Sequence, residues 1–447
     1  MLSRADSKLV GREHSMPGLA TVLDAEALAA AWRAKDPAIG IERLSPYYAH
    51  YKPGTRCLVG FRISKADCPG ELLCYAAAYG PDAASKLPKA REMAQGKSSL
   101  AHNSMVILED IDTVVYTFPA DRRLKGLERL ASPQPRGNML RRLLYKQPDY
   151  AEATLQTLRY KPERRYVARL DTPEGRRAVV KFYDAPGYRT ALHAVQAFAS
   201  AGASHLAPCT GHLDTHRVLA FDWQPGSTLQ TLLSGPDTAD NQRTQALELA
   251  GAALAGLHAQ RPGNLPRRTR DTVRARLRAQ AGTIGQLCPE LNAVAASLAQ
   301  DLAVRLDHTP FLPAALHGDF NAEQILIDND GRATILDLDW AHLGDPAADF
   351  GLFLAHLERL ALRGAPCSGQ IDRYRDALTR GYGRQRNLPG AAAVAFHTAI
   401  GLFYRAAEPF RYRETGWPEL IGALLARARE ILNDAAVQSK GRWASNA

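Results

Sequence analysis

No run of apolar residues in this chain approaches the ~18 that a bilayer-spanning helix requires, so a helical membrane protein is excluded. The N-terminal stretch MLSRADSKLVGREH is polar from the start and carries no signal-peptide core; the expected location is cytoplasmic. Six cysteines (Cys57, Cys68, Cys74, Cys209, Cys288 and Cys367) form no CxxC pair and no His/Cys cluster at zinc spacing, and read as reduced structural thiols. No GxGxxG is present. QGKSS at 95–99 has the ending of a P-loop, but Arg91 stands at its first glycine position and no strand runs into it. An EF-hand at DNDG fails too, because Gly331 as sixth residue would put Leu326 at the first ligand position. Basic residues are not interleaved with aromatics, which argues against nucleic acid.

What the sequence does have is a globular composition, 46% hydrophobic and 23% charged. At 447 residues it is long enough for two or three folding units. The net charge of +10 favours phosphates or acidic substrates as company, although much of the excess reads as solvated arginines: Arg267, Arg268, Arg270, Arg274 and Arg276.

Three segments emerge. In residues 1–150, a helix over 22–35 with Leu23, Leu28 and Trp32 on one stripe precedes strands in YYAHYKPGTRCLVGFRI, ELLCYAAAYG, MVILED and TVVYTFPA. The turn signal Cys68-Pro69-Gly70 separates the first two of these. LKGLERLA and MLRRLLYKQ read as helices, with SPQPRGN as a break between them. Residues 151–225 form a second α+β unit that echoes the first: Tyr51, Lys52, Pro53 and Arg56 recur as Tyr160, Lys161, Pro162 and Arg165, and Ala77 falls where Lys181 stands. From 226 to 447 the pattern is helical, in ALELAGAALAGLHAQ, LNAVAASLAQDLAVRL, DFGLFLAHLERLAL, AVAFHTAIGLFYRAA and ELIGALLARAREIL.

The chemistry concentrates in LHGDFNAEQILID, residues 316–328. His317-Gly318-Asp319 followed by Gln324 has the spacing H-x-D-x-x-x-x-N of a phosphotransferase loop, with glutamine in the last place. Ile325–Ile327, the turn Asp328-Asn329-Asp330-Gly331 and Thr334–Leu336 form a hairpin pattern that should return Asp337 beside the loop. One carboxylate can then take a hydroxyl proton while two oxygen ligands hold Mg²⁺ on phosphates.

LHGDFNAEQILID…ILDLDWAHLGDPAADFG resembles the aminoglycoside phosphotransferase and choline kinase family, relatives of the protein kinases. VLAFDWQPGSTL and LAGLHAQ resemble the family's PGxxL and LAxLH segments. The resemblance implies a two-lobed protein-kinase-like α+β fold over about 155–430, using ATP and Mg²⁺. It implies Asp319 as catalytic base, Gln324 and Asp337 as metal ligands with Asp339 as a second acidic partner, and His317, Asp345 and Asp349 as braces of the loop. Lys181, with Arg165, matches the phosphate contacts, and the base would lie near Phe221 and Trp223. The first 150 residues resemble, by position and length, the N-terminal cap of maltokinase-like sugar kinases, whose members also carry glutamine at the Gln324 position. The implied activity is transfer of the γ-phosphate to a small-molecule hydroxyl, a sugar or polyol ahead of an aminoglycoside, with neither nucleic acid nor membrane as partner. No glutamate lies between Lys181 and Pro208, so the family's lysine–glutamate pair lacks its obvious member. That gap and Gln324 support the rival reading, an inactive nucleotide-binding protein.

Overall fold

The structure is a computed structural model that describes residues 1–65, 68–81, 87, 105–199, 205–307, 309, 313–364 and 368–444. QGKSS and Cys367 lie outside the described residues. The chain divides into two compact units. The first comprises Met1–Tyr188, Thr210–Ala220 and Glu408–Pro418; the second comprises Arg189–Cys209, Phe221–Ala407 and Glu419–Ala447.

The first unit is built on two five-stranded sheets. One contains β1 (Ile41–Lys52), β2 (Arg56–Lys65), β3 (Cys68–Tyr79), β4 (Met105–Leu108) and β5 (Thr113–Thr117), in the order β1-β2-β3-β5-β4. The other contains β6 (Thr154–Lys161), β7 (Arg165–Asp171), β8 (Arg177–Tyr183), β9 (Cys209–Leu213) and β10 (Val218–Asp222), in the order β6-β7-β8-β10-β9. The two orders are the same, and the first hairpins close alike, with Lys52 opposite Arg56 and Lys161 opposite Arg165. Each turn places one residue at positive φ, Gly54 at +63° and Glu163 at +59°. Ala77 pairs with Leu58 as Lys181 pairs with Val167.

The two sheets turn opposite faces into the core they share, and the first sheet buries its other face too, at Cys57, Val59, Ala76 and Ala78. In the first sheet Leu58, Tyr75, Ala77 and Tyr116 enter the core that both sheets share; in the second it is Ala168, Val180 and Phe182, the neighbours of Lys181 rather than Lys181 itself. Strand alternation makes these alternatives exclusive, since successive side chains point to opposite faces. Ala77 is therefore fully buried, while Lys181 is half-buried.

Two local readings need correction. The pairing of Lys65 with Cys68 brings Cys68 into β3, so Cys68-Pro69-Gly70 is strand rather than turn. SPQPRGN is no break either: a helix spans Pro133–Leu143, with Ser132 extended at its N-cap and proline in its first turn, where the ring costs no hydrogen bond. The helix expected over 22–35 divides at Asp24, whose carboxylate caps Ala25–Lys35 by accepting from the Glu26 and Ala27 amides. Leu23, Leu28 and Trp32 are buried.

The second unit is mainly helical. Helices Asp240–Ala259, Ala347–Ala361 and Ser368–Gly383 surround a core that includes Leu254, Phe320, Phe353 and Tyr382. Small sheets carry the loops: β12 (Ala314–Leu316) pairs with β15 (His342–Gly344), and β13 (Ile325–Ile327) pairs with β14 (Ala333–Ile335) and with β11 (Ser227–Thr228). Gly226, in the PGxxL segment, is required here: at φ +115° a Cβ would come within 2.3 Å of the Ile327 carbonyl oxygen.

Candidate active site

Strand β12 delivers His317, Gly318 and Asp319 into a loop pinned from below by Phe320, which is fully buried and whose ring lies 5.7 Å from that of Phe353. Gly318 has φ +78°, and a Cβ there would meet the Trp340 carbonyl oxygen at 2.2 Å. Beneath the loop lies Asp349, in the first turn of the Ala347–Ala361 helix. Its carboxylate accepts the backbone N–H groups of His317 at 2.7 Å and Gly318 at 2.9 Å, and lies 3.1 Å from His258 Nε2. His258 Nδ1 in turn lies 3.0 Å from the Tyr382 hydroxyl. Burial alone would push the Asp349 carboxyl up; the hydrogen bond and charge of His258, with the loop around it, outweigh burial and hold it below the usual range.

A second tie joins the loop to the hairpin. His317 Nε2 lies 2.7 Å from the Leu336 carbonyl oxygen, and since a carbonyl only accepts, Nε2 donates. Nδ1 is then the acceptor for the Asp319 N–H at 3.2 Å. The Leu336 N–H donates to the Gln324 carbonyl at 2.8 Å. Leu336 is thus fixed on both sides, by His317 two residues before the loop aspartate and by the loop's glutamine, and Asp337 leaves directly after it. Asp337 has φ +65°, a conformation aspartate tolerates better than most residues. Asp339 lies in the short turn Leu338–Trp340 that follows.

Asp319 keeps 41% of its side-chain surface exposed and lies 3.3 Å from the Arg405 guanidinium, at the end of helix Ala391–Arg405. Asn321 steadies the turn, donating to the Asp319 carbonyl at 2.8 Å and accepting the Glu323 N–H at 2.9 Å. Asp345 accepts the Ala347 N–H at 2.9 Å, at the start of the helix that carries Asp349. Gln324 is nearly buried, and its side-chain amide makes none of these loop hydrogen bonds. The amide oxygen of Gln324 and the carboxylates of Asp337 and Asp339, as the candidate ligands, would offer oxygen donors only. That set fits a hard divalent cation completed by phosphate oxygens and water. It does not fit a self-sufficient protein cage, and no group of three or more His, Cys, Asp or Glu side chains suited to a metal occurs among the described residues.

The remaining candidates lie elsewhere in the chain. Lys181 is on β8 and Arg165 opens β7, both in the first unit. Phe221 is the last residue but one of β10 and Trp223 follows that strand; both are half-buried and belong to the second unit.

Sequence reasoning missed Arg405, Asn321 and His258. Arg405 follows a helical face marked by His397, Ile400 and Tyr404 at i, i+3 and i+7, and His258 is the histidine of LAGLHAQ. The solvated-arginine reading holds for Arg267, Arg270 and Arg276, which are exposed, and not for Arg268, which is half-buried. Arg274 does form surface pairs, with Asp271 at 2.6 Å and with Asp307. Arg268, Arg270 and Arg276, by contrast, line a cavity beside Gly318, because helix Arg270–Leu287 buries Leu277, Ala281 and Ile284 and turns Val273 and Arg276 toward it.

Residues 163–397 match the phosphotransferase enzyme family, APH, over more than half of the chain. No curated protein matches. Among solved structures, the chain is similar to choline kinase from Streptococcus pneumoniae (13% identity, 66% of this chain and 98% of that one, TM-score 0.47). It is also similar to a macrolide 2'-phosphotransferase from Brachybacterium faecium (19%, 63% and 96%, 0.43) and to choline kinase from Cryptosporidium parvum (10%, 68% and 96%, 0.48). The chain belongs to the phosphotransferase enzyme family, APH, and is a small-molecule phosphotransferase.

Proposed function

We propose that the chain transfers the γ-phosphoryl group of ATP to a hydroxyl of a sugar or similar polyol, with Mg²⁺ as the divalent cation. In the reaction the acceptor oxygen forms a bond to the γ-phosphorus while the bond from phosphorus to the β–γ bridging oxygen breaks, leaving ADP. The acceptor's proton passes to Asp319. Arg405, 3.3 Å away, orients the Asp319 carboxylate. Gln324, Asp337 and Asp339 would hold Mg²⁺, which neutralises phosphate charge when bound. Lys181 and Arg165 are assigned to the nucleotide phosphates, and Phe221 and Trp223 to its base.

The observation that supports this reading is the double tie at Leu336, whose carbonyl accepts from His317 and whose N–H donates to the Gln324 carbonyl, directly before Asp337. A sugar or polyol rests on two features shared with maltokinase-like members, the N-terminal extension and glutamine at position 324. On this reading the first sheet is a degenerate copy of the second that takes no nucleotide: Ala77 replaces the lysine, and its face of the sheet is filled by core. The test is ATP consumption across a panel of sugars, polyols, amino alcohols and aminoglycosides with Mg²⁺ present. Turnover confined to the aminoglycosides would overturn the acceptor class, and Mg²⁺–ATP binding without turnover on any acceptor would favour the inactive reading.

A further inference from the structure

A cavity of about 770 Å³, counting the solvent at its mouth, opens beside the catalytic loop entirely within the second unit. Its wall includes Gly318, the residue before Asp319, together with His342 and Asp345 from the segment following the Asp337–Trp340 turn. Helix Ala391–Arg405 contributes His397 and Tyr404, and its last residue, Arg405, is the one paired with Asp319.

The charge on this wall is lopsided. Arg268, Arg270 and Arg276 face Asp345, which is the sole acidic residue of the lining among the described residues. The Arg276 guanidinium lies 3.9 Å from the centre of the Tyr404 ring and 5.9 Å from that of Trp340, a stacked pose that leaves its N–H edge available. Arg270 donates to the Thr309 carbonyl at 2.8 Å. No ion pair involving Arg268 or Arg276 occurs among the described residues. Burial and then the charge of Arg276 push the Arg268 guanidinium down. The histidines add donors and acceptors rather than charge: burial, and for His342 the nearby Arg268, hold His342 and His397 at about 4. The Tyr404 hydroxyl and His397 Nε2 are buried without a hydrogen-bond partner, and buried polar groups are seldom left so.

We propose, on the basis of the phosphotransferase reading above, that this cavity receives the acceptor, and that the acceptor carries an oxyanion, a carboxylate or phosphate ester, beside the hydroxyl to be phosphorylated. Two guanidiniums without a carboxylate partner supply charge and forked N–H geometry for such a group. Tyr404 and His397 supply hydrogen bonds to the neutral part of the molecule. A cationic aminoglycoside or choline would instead bring a positive charge against three arginines. Arg276 and Tyr404 are thus specificity residues, and the acceptor is an acidic sugar or sugar phosphate rather than a neutral sugar.

The test is calorimetric titration of the full chain with four matched probes: D-glucuronate, D-glucose 1-phosphate, neutral D-glucose and cationic D-glucosamine. Each is run with and without AMP-PNP and Mg²⁺. At least one anion should bind ten-fold or more tightly than glucose and glucosamine, and the two anions separate carboxylate from phosphate recognition. Arg276→Gln should remove that advantage at least ten-fold, and Tyr404→Phe, which deletes one oxygen, should weaken anion binding several-fold while leaving the fold intact. Equal or tighter binding of glucose or glucosamine overturns the inference, as does failure of both anions to bind. Displacement of the anion by AMP-PNP would assign the arginines to the nucleotide, and it also overturns the inference. Failure of AMP-PNP to bind with Mg²⁺ would count against the phosphotransferase reading alone, because the nucleotide-free titrations score the cavity independently.

Discussion

Replacing Asp349 should disable the catalytic loop without touching a reacting atom. The wild-type carboxylate satisfies two buried backbone donors, at 2.7 and 2.9 Å, and a histidine nitrogen at 3.1 Å. Asp349→Ala leaves all three without an acceptor. Each buried unsatisfied group costs about 1–3 kcal/mol, and partial rescue by water entering the vacated space brings the total to about 3–5 kcal/mol. Asp349→Asn keeps one acceptor oxygen but turns an amide N–H₂ toward the remaining donors, for a loss of about 1–3 kcal/mol. Urea unfolding measures the cost, and hydrogen exchange at the His317 and Gly318 amides localises it. Turnover should fall with loop order, by more than ten-fold in Asp349→Ala. The pH dependence has a definite sign. The folded carboxyl is held below its ordinary 3.8, so its stabilisation is complete at neutral and mildly acid pH and is lost only as pH falls through that lower value. The gap between wild type and Asp349→Asn should therefore be level down to about pH 5 and close below about pH 4. An Asp349→Ala protein within about 1 kcal/mol of wild type, with unchanged exchange at Gly318, would refute the brace.

The other predictions concern both units. Glu163 is 2% exposed and accepts from Arg56 at 2.6 Å and from Arg122 at 3.0 and 2.9 Å, so Glu163→Ala should cost about 3–5 kcal/mol by leaving two guanidiniums uncompensated. Because Glu163 sits at φ +59°, Glu163→Gly should cost about 1 kcal/mol less than Glu163→Ala, as measured by thermal unfolding. Ala77→Lys should unfold the first unit or cost several kcal/mol, since an unpaired ammonium would enter a closed core; circular dichroism on heating tests this. Arg405→Met should lower kcat about ten-fold, or ~1.4 kcal/mol of barrier, with the KM for ATP little changed, in steady-state assays.

The loop chemistry was legible because its geometry is local. A five-residue connection between two short strands fixes where the chain returns before Asp337, and the glycines at 226 and 318 each meet a backbone carbonyl oxygen. The echo between Tyr51–Arg56 and Tyr160–Arg165 was legible for the same reason, since hairpin registers follow the turn. What the sequence hid depends on contacts made across the fold. His258 reaches Asp349 from 91 residues away, and Arg405 reaches Asp319 from 86, so neither has a spacing to betray it. Helix periodicity separates a buried stripe from the rest without telling a cavity wall from open solvent, so Arg270 and Arg276 read as exposed, which they are, but not as lining a cavity. The helix at Pro133 was missed because two prolines and a glycine read as punctuation, although proline in a first turn starts a helix rather than ending one. Ala77 shows the limit most plainly: its match to Lys181 could be read from the strands, but not that its face of the sheet becomes core.

The central claim, that Asp319 takes the proton of the acceptor hydroxyl, is tested most directly by Asp319→Asn measured for both turnover and Mg²⁺–ATP affinity. The change removes the proton acceptor but little volume. Phosphate transfer should be abolished while Mg²⁺–ATP affinity stays close to wild type; turnover within ten-fold of wild type, a difference of about 1.4 kcal/mol or less in the barrier, would contradict the account.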